Sequence, residues 1–244
     1  MEINKSNYTY DSVFVNEDAA ASRKFIANVF LWMFVALGIS AICAWVFAHD
    51  KTLISSLVDF NTGRRTGLGT IVMFSPLAFV LTMSFAFNRL SFAMLAVFFL
   101  GFAVMMGISL SFIFLAYTSG MIYGTFITAS VVFGIMAIAG YTTSQDLTKF
   151  GSILGMFLIG IVVASIVNWF IGSSGLSMII SYVGVAVFVG LTAYDVQKLK
   201  RIGAGLEYGD QSTQKIAIMG ALTLYLDFIN LFLMLLRVFS GNRK

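Results

Sequence analysis

Long apolar segments alternate with short polar breaks along most of this 244-residue chain. Each apolar segment holds about 20 residues, the number that a helix rising about 1.5 Å per residue needs to cross a hydrocarbon core of about 30 Å. The breaks carry glycine, asparagine or charged residues, which favour turns. The pattern predicts an all-α integral membrane protein with seven membrane-spanning helices, over Phe25–Phe47, Leu68–Phe87, Phe92–Leu115, Met121–Gly140, Ile153–Ile171, Leu176–Tyr194 and Ala217–Phe239.

The first 22 residues differ from the rest because they are polar and mixed in charge. They carry Asp11, Glu17 and Asp18 but no apolar core of their own. We therefore expect residues 1–22 to form a flexible tail before a seven-helix domain over residues 23–244. The first apolar segment is far longer than the core of a secretory signal peptide and has no small-residue cleavage pattern after it, so we expect this helix to be retained.

Composition excludes several classes of protein. Hydrophobic residues make up 59% of the chain and charged residues only 11%, too few to cover a soluble domain of this size. With a single histidine, His49, and a single cysteine, Cys43, the chain can build neither a histidine metal cluster nor a serine or cysteine triad. Its basic residues lie in short segments beside apolar runs, without the stacking aromatics of a nucleic-acid surface. We expect a protein that is not an enzyme, binds no nucleic acid and holds no tight cofactor.

Basic residues between the predicted helices indicate the orientation of the chain. Seven spans place the two termini on opposite sides of the bilayer, with nine Lys and Arg on the N-terminal side and six on the other. Basic residues accumulate on the cytoplasmic side of membrane proteins. We therefore predict a multi-pass protein of the cell membrane with a cytoplasmic N-terminus.

Glycine recurs inside several predicted spans, as in the pairs Gly134 with Gly140 and Gly184 with Gly190. Lipid tails give helices little hydrophobic drive to associate, so small residues favour packing by letting two backbones approach. We interpret these glycines, together with Gly151, Gly155 and Gly160, as helix contacts rather than as ligand sites.

A carboxylate lies in the middle of the last predicted span. Asp227 stands within the apolar stretch Leu222–Phe232, where an acidic residue costs on the order of 2.5 to 3.5 kcal/mol on insertion scales. Thr223, four residues earlier, and Asn230, three residues later, fall on the same helical face. The last helix therefore carries a polar stripe, which we expect to face the interior of the bundle.

A second acidic residue, Asp195, closes the sixth span just before Lys198, Lys200 and Arg201. One interpretation is a terminal carboxylate paired with a neighbouring basic side chain. The other is a functional pair, because antiparallel packing of the last two spans brings Asp195 towards Asp227. Two close carboxylates in a low dielectric repel when both are ionised, so one proton tends to be shared and the pair senses pH. Their oxygens also suit Ca²⁺, which would compete with protons for them. The residues alone leave both interpretations open.

Three stretches of the chain are distinctive as motifs. They are Val189-Gly-Leu-Thr-Ala-Tyr-Asp195-Val-Gln-Lys-Leu-Lys200, then Gly220-Ala-Leu-Thr-Leu-Tyr-Leu-Asp227-Phe-Ile-Asn230-Leu-Phe, and Gly140-Tyr-Thr-Thr143 followed by Asp146-Leu and Phe150-Gly151. Together they resemble the transmembrane Bax inhibitor motif family, and within it the bacterial YccA-like branch. The resemblance extends over about residues 20–244.

The resemblance implies a fold in which six helices wrap around a central C-terminal helix. It also implies a calcium leak controlled by protonation of an aspartate pair, which matches Asp195 and Asp227 here. In members of the family with a characterised leak, an arginine at the end of the second helix latches that pair, and Arg89 is the candidate by position. The branch further implies a bacterial inner-membrane location and contact with a membrane-bound AAA protease.

The sequence supports two functional hypotheses. The first is a pH-sensitive calcium leak, in which Asp195 and Asp227 bind protons or Ca²⁺ and the polar face of Thr223 and Asn230 supports them. The second is an interaction protein that modulates a membrane-bound AAA protease through residues 1–22, with purely structural carboxylates.

Overall fold

The computed structural model describes residues 6–206 and 210–241, with side chains from residue 20 onwards. Helices make up most of this part of the chain. In chain order the elements are α1 (Ser6–His49), α2 (Lys51–Leu57), β1 (Val58–Asp59), β2 (Arg64–Arg65), α3 (Gly67–Phe85), α4 (Phe92–Leu110), α5 (Ile113–Ala116), α6 (Ser119–Thr142), α7 (Thr148–Ile171), α8 (Ser174–Ala204) and α9 (Gln211–Gly241).

Seven helical segments within the described residues are long and apolar enough to cross a membrane, and each coincides with a predicted span. The all-α membrane fold class is therefore confirmed. Several helices extend beyond the apolar run that predicted them: α8 continues ten residues past Tyr194, and α9 begins six residues before Ala217. Bilayer thickness limits the apolar part of a helix only, so its polar ends can continue outside the hydrocarbon core.

The start of α1 differs from the sequence-based expectation. The helix begins at Ser6, so the backbone of residues 6–22 is helical where a flexible tail was predicted, and residues 1–5 lie outside the described part of the chain. The physical reason is local: residues 6–22 contain neither glycine nor proline to end a helix, and they run through three alanines directly into the first span.

The segment α2–β1–β2 forms a short cap between α1 and α3, where the sequence predicted only a polar break. Asp50 begins α2 by accepting hydrogen bonds from the backbone N–H groups of Thr52 and Leu53, at 2.8 and 3.1 Å. β1 and β2 then form an antiparallel hairpin, and its turn contains Gly63 at φ 66°, a conformation that favours glycine. In that turn the Asn61 backbone N–H donates to the Asp59 carboxylate and is the main reason why the pKa of Asp59 lies below its usual value.

The last helix, α9, is the most buried of the seven spans. It packs directly against α1, α4, α6 and α8, whereas α3 packs chiefly on α4 and α7 chiefly on α8. This arrangement places α9 inside the bundle. The arrangement of all six other spans around α9 stays a prediction.

A buried hydrogen-bonded pair joins three of these helices. The hydroxyl of Ser40 on α1 donates to the backbone carbonyl of Ala103 on α4 at 2.7 Å, and its oxygen lies 2.7 Å from the hydroxyl oxygen of Tyr225 on α9. Because serine has only one O–H, the Tyr225 hydroxyl is the donor to Ser40. The Tyr225 ring also meets Phe102 edge to face. These contacts hold α1, α4 and α9 together away from water.

The predicted glycine contacts separate into tight and open positions. A methyl group on Gly140 would overlap the backbone of Ala193, and one on Gly190 would meet the Leu154 side chain. Gly134 faces open space, although it lies on the same helix as Gly140, and the packing prediction is also wrong for Gly155 and Gly160 of α7, which face open space as well. The packing interpretation therefore holds for Gly140 and Gly190, and Gly134 has no neighbour to contact.

We expect Gly140→Ala to lower the free energy of unfolding by about 1–3 kcal/mol, because the new methyl forces α6 and α8 apart and backbone cannot yield as a flexible side chain does. Gly134→Ala is the matched control and should change stability little. Thermal or denaturant unfolding in detergent measures both variants. Equal stability of the two would contradict the close approach of α6 and α8.

Candidate functional site

The site begins with Asp227, which lies on the buried helix α9 among apolar neighbours. Asp227 is only 6% exposed, and Leu224, three residues earlier, and Phe228, the next residue, are buried as well. The Asp227 Oδ2 atom has no hydrogen-bond partner among the described residues. Most buried polar atoms in proteins are paired. An unpaired carboxyl oxygen inside the bundle is therefore uncommon, and it makes Asp227 a candidate functional residue.

Asp195 lies on α8, and the packing of α8 on α9 brings it to Asp227. Three glycine contacts run in opposite directions along the two helices: Met178 with Gly241, Gly184 with Met234, and Leu199 with Gly220. The helices are therefore antiparallel, and this register sets residue 195 within one helical turn of residue 227. The two carboxyl groups lie next to each other, close enough for a hydrogen bond when one of them carries a proton.

The charges around the pair distinguish the two interpretations of Asp195. Asp195 is 9% exposed, and the charge of Lys198 acts on it from one turn further along α8. Within residues 20–206 and 210–241, an ion pair joins Arg201 to Asp146, and no ion pair includes Asp195. Asp195 therefore has no ion-pair partner in this part of the chain. The proton-sharing arrangement is the interpretation that its position fits.

The other residues predicted for the site lie elsewhere. The hydroxyl of Thr223 bonds to the Met219 carbonyl one turn earlier on α9, and its side chain is exposed. The Asn230 amide likewise donates to the Leu226 carbonyl at 2.8 Å. The prediction that the polar stripe faces the bundle interior is therefore wrong for Thr223, and both side chains bond to their own helix rather than to Asp227.

Arg89, the candidate latch, is exposed in the turn between α3 and α4. Two residues before it, the ring of Phe87 contacts the Lys215 ammonium at 4.6 Å, near the start of α9. Twelve residues of helix separate Lys215 from Asp227, about 18 Å along the axis at about 1.5 Å per residue. Among the described residues, no ion pair joins Arg89 to either aspartate. Its role as a latch stays a prediction.

The donor set bears on what the pair can bind. Among the described residues, no group of three or more His, Cys, Asp or Glu side chains could hold a metal ion. Ca²⁺ takes six to eight oxygen ligands, and two carboxylates supply at most four. The pair alone would therefore leave the rest of a Ca²⁺ coordination shell to water or to other oxygen atoms.

Just after Asp195, polar side chains of α8 hold the loop between α6 and α7 in place. The Gln197 side chain accepts from the Leu147 backbone N–H at 2.9 Å and donates to the Gln145 carbonyl at 2.7 Å. Asp146 accepts from the Thr148 hydroxyl at 2.6 Å and from its N–H at 3.0 Å. These bonds, with Arg201 at 2.9 Å, lower the pKa of Asp146 to about 2. Sequence reasoning missed this anchoring, although Gln197 and Asp146 both stand in the distinctive motifs.

Comparison with known proteins identifies relatives over almost the whole chain. The family model described as "Inhibitor of apoptosis-promoting Bax1" matches residues 22–244. The inner membrane protein YbhL of Escherichia coli strain K12 is 44% identical over 226 residues, which cover 92% of this chain and 94% of that protein. Uncharacterized proteins from Rickettsia prowazekii and Borreliella burgdorferi are 42% and 41% identical, over 91% and 93% of this chain and 91% and 96% of their own lengths. The predicted family resemblance is confirmed.

The loop anchored by Asp146 should resist acid until well below neutral pH. The folded pKa of about 2 lies below the ordinary value of 3.8, so the contribution of Asp146 to stability is complete above pH 3.8 and is lost as the pH falls through about 2. Asp146→Asn removes the charged acceptor and should speed amide hydrogen exchange in residues 145–149 at neutral pH. The matched control Asp59→Asn, in the β1–β2 turn, should leave that exchange unchanged. Identical exchange in the wild type and Asp146→Asn would show that the carboxylate does not hold the loop.

Proposed function

The chain belongs to the family described as inhibitors of apoptosis-promoting Bax1, and from this premise we propose that it is a pH-sensitive calcium leak of a bacterial inner membrane. The observation that carries the proposal is the pair of buried carboxyl groups, Asp195 on α8 and Asp227 on α9, which face each other between two antiparallel helices. Ca²⁺ and protons are the ligands that this pair would exchange.

Repulsion between the two charges supplies the switch. Two unit charges 4 Å apart interact by about 4 kcal/mol at an effective dielectric constant of about 20. That energy shifts an equilibrium between two helix packings by roughly a thousandfold, ample for a gate. With one proton shared, the carboxyls attract each other and hold α8 against α9. With no proton, they repel each other and offer oxygen ligands to a cation.

The location of the two carboxyl groups also supports a leak. Asp227 lies within the membrane-spanning part of α9, with an unpartnered oxygen, and Asp195 lies towards the end of α8 that carries Lys198, Lys200 and Arg201. A cation from that side would meet Asp195 first and Asp227 deeper in the bundle. We place this side, with the N-terminus, in the cytoplasm, as the distribution of basic residues favours.

Calcium flux into liposomes across a range of pH tests the proposal. The wild-type rate should vary by at most about tenfold per pH unit, because a single shared proton titrates. Asp227→Asn and Asp195→Asn replace an ionisable group by a neutral one of the same shape, so each should remove most of the pH dependence. The matched control is Asp146→Asn, whose carboxylate is exposed and stays ionised well above pH 2.

Two outcomes would contradict the proposal. One is a wild-type flux no faster than that of empty liposomes at every pH. The other is an Asp227→Asn variant that folds normally and keeps the flux and pH response of the wild type. Circular dichroism and size-exclusion chromatography establish the folding of each variant before its flux is compared.

Modulation of a membrane-bound AAA protease remains the alternative hypothesis, and truncation of the N-terminus separates it from the leak. The deletion should end before Ala20, because the Ser22 hydroxyl donates to the Lys200 carbonyl at 2.9 Å and fixes α1 to α8. A leak should survive removal of residues 1–19, whereas protease engagement through this segment should be lost. Loss of flux in the folded truncated protein would count against a leak confined to the seven-helix bundle.

A further inference from the structure

A cavity of about 410 Å³, lined mainly by residues with polar or basic groups, lies at one end of the bundle, apart from the carboxyl pair. It opens where α1, α6 and α8 meet the loop that follows α6. Its walls carry hydroxyl, amide and basic groups, contributed by Ser22, Thr143, Ser144, Gln197, Lys200 and Arg201. Two basic side chains line this cavity, whereas many of the exposed side chains elsewhere on the bundle are apolar.

The cavity is built by fixed contacts between its walls. Close packing of Gly140 on Ala193 sets the end of α6 against α8. The Lys200 ammonium donates to the Tyr141 carbonyl at 2.7 Å and lies 4.8 Å from the centre of the Tyr141 ring. The Ser22 hydroxyl donates to the Lys200 carbonyl and brings in α1. These bonds make the cavity a preformed feature of the bundle.

Hydrogen-bond donors remain available in this cavity. Lys200 has three N–H groups and uses one on Tyr141, and Arg201 has five, of which those on Nη1 serve Asp146 and Thr148. The Thr143 hydroxyl oxygen accepts from the Gln145 N–H at 3.2 Å, so its own proton is free to donate. The ligand that matches such walls is a compact anion with several oxygen acceptors.

The charges around the cavity and its position along the helices indicate which kind of anion it would bind. Among the residues whose side chains the structure describes, no carboxylate lines the cavity, and the nearby Asp146 is bonded to Thr148 and Arg201. Arginine and lysine beside hydroxyl donors favour phosphate oxygens. The cavity lies at the ends of three membrane-spanning segments, the level at which basic pockets between helices meet lipid headgroups.

We propose that this cavity binds a phosphate group, supplied by the headgroup of an anionic phospholipid or by free phosphate. The bound phosphate bridges Lys200 and Arg201 of α8 to Thr143 and Ser144 after α6, and so stabilises the junction of α1, α6 and α8. The proposal does not depend on calcium transport, because it concerns a different cavity and a different ligand.

Ligand-dependent thermal unfolding of the full-length protein in a neutral detergent tests the proposal, since a ligand that binds only the folded state raises the unfolding midpoint. The three probes are dioleoyl phosphatidylglycerol, dioleoyl phosphatidylcholine and sodium phosphate, the last compared with sodium chloride at equal ionic strength. We expect phosphatidylglycerol to raise the midpoint more than phosphatidylcholine does. A rise with sodium phosphate beyond sodium chloride, equal to that with the lipid, would identify free phosphate as the ligand and equally support the site.

Substitutions locate the binding. Arg201→Gln and Lys200→Gln should each raise the half-saturating concentration of the effective probe about fivefold, the contribution expected of one basic side chain near a membrane surface. Lys149→Gln is the matched control, because Lys149 is an exposed cation of the nearby α7 that does not line the cavity. Arg201 is exposed, so Arg201→Gln keeps the test decisive if Lys200→Gln fails to fold. The proposal is overturned if neither phosphate probe exceeds its reference, or if Lys149→Gln weakens binding as much as Arg201→Gln does.

Discussion

The carboxyl groups of Asp195 and Asp227 lie against each other in the interior of a helix bundle, where water is scarce and two negative charges repel strongly. The surrounding packing keeps them there. Glycine contacts along α8 and α9 fix an antiparallel register, and α1, α4 and α6 pack against α9 on its other sides. Under the proposed function, a proton shared between the two groups would relieve this repulsion, and the charge of the pair would then depend on pH.

Rigid and responsive contacts are distributed differently around α9. Two residues before Asp227, the Tyr225 hydroxyl is bonded to Ser40, which in turn is bonded to the backbone of α4. All partners in this group are neutral and satisfied, so pH has no direct effect on it. The face of α9 towards α8 carries the titratable pair with an unpartnered oxygen. A change in protonation would therefore act on the contact between α8 and α9 while the contacts of α9 with α1 and α4 are maintained.

The helix α8 connects this pair to the polar end of the bundle. Gln197 bonds to the loop after α6, Lys200 to the end of α6, and the Lys200 carbonyl to Ser22 of α1. All of these residues lie within two turns of Asp195. Any displacement of α8 from α9 must therefore either carry this end of the bundle along or break these bonds. The phosphate site proposed here would strengthen the same junction.

Sequence reasoning predicted the seven spans because apolar length is a local property that bilayer thickness sets. It did not predict the helical start of α1 at Ser6, because residues 6–22 are polar and lack an apolar run. It also missed the α2–β1–β2 cap, since short elements give little periodic signal. The approach of Asp195 to Asp227 was conditional on antiparallel packing, and the register that glycine contacts impose settles it. The predicted orientation of Thr223 was wrong. One face of a helix is buried only where a neighbouring helix covers it, and none of the described helices covers Thr223, which is exposed.

The central claim is that Asp195 and Asp227 share one proton near neutral pH. Infrared difference spectroscopy of the protein in lipid measures this directly, because a protonated carboxyl group has a C=O stretch that is separate from that of a carboxylate and shifts in deuterium oxide. We predict such a band at neutral pH in the wild type, its disappearance as the pH is raised, and its absence from Asp227→Asn. A wild-type spectrum without a protonated carboxyl at neutral pH, or a band that persists in Asp227→Asn, would contradict this claim.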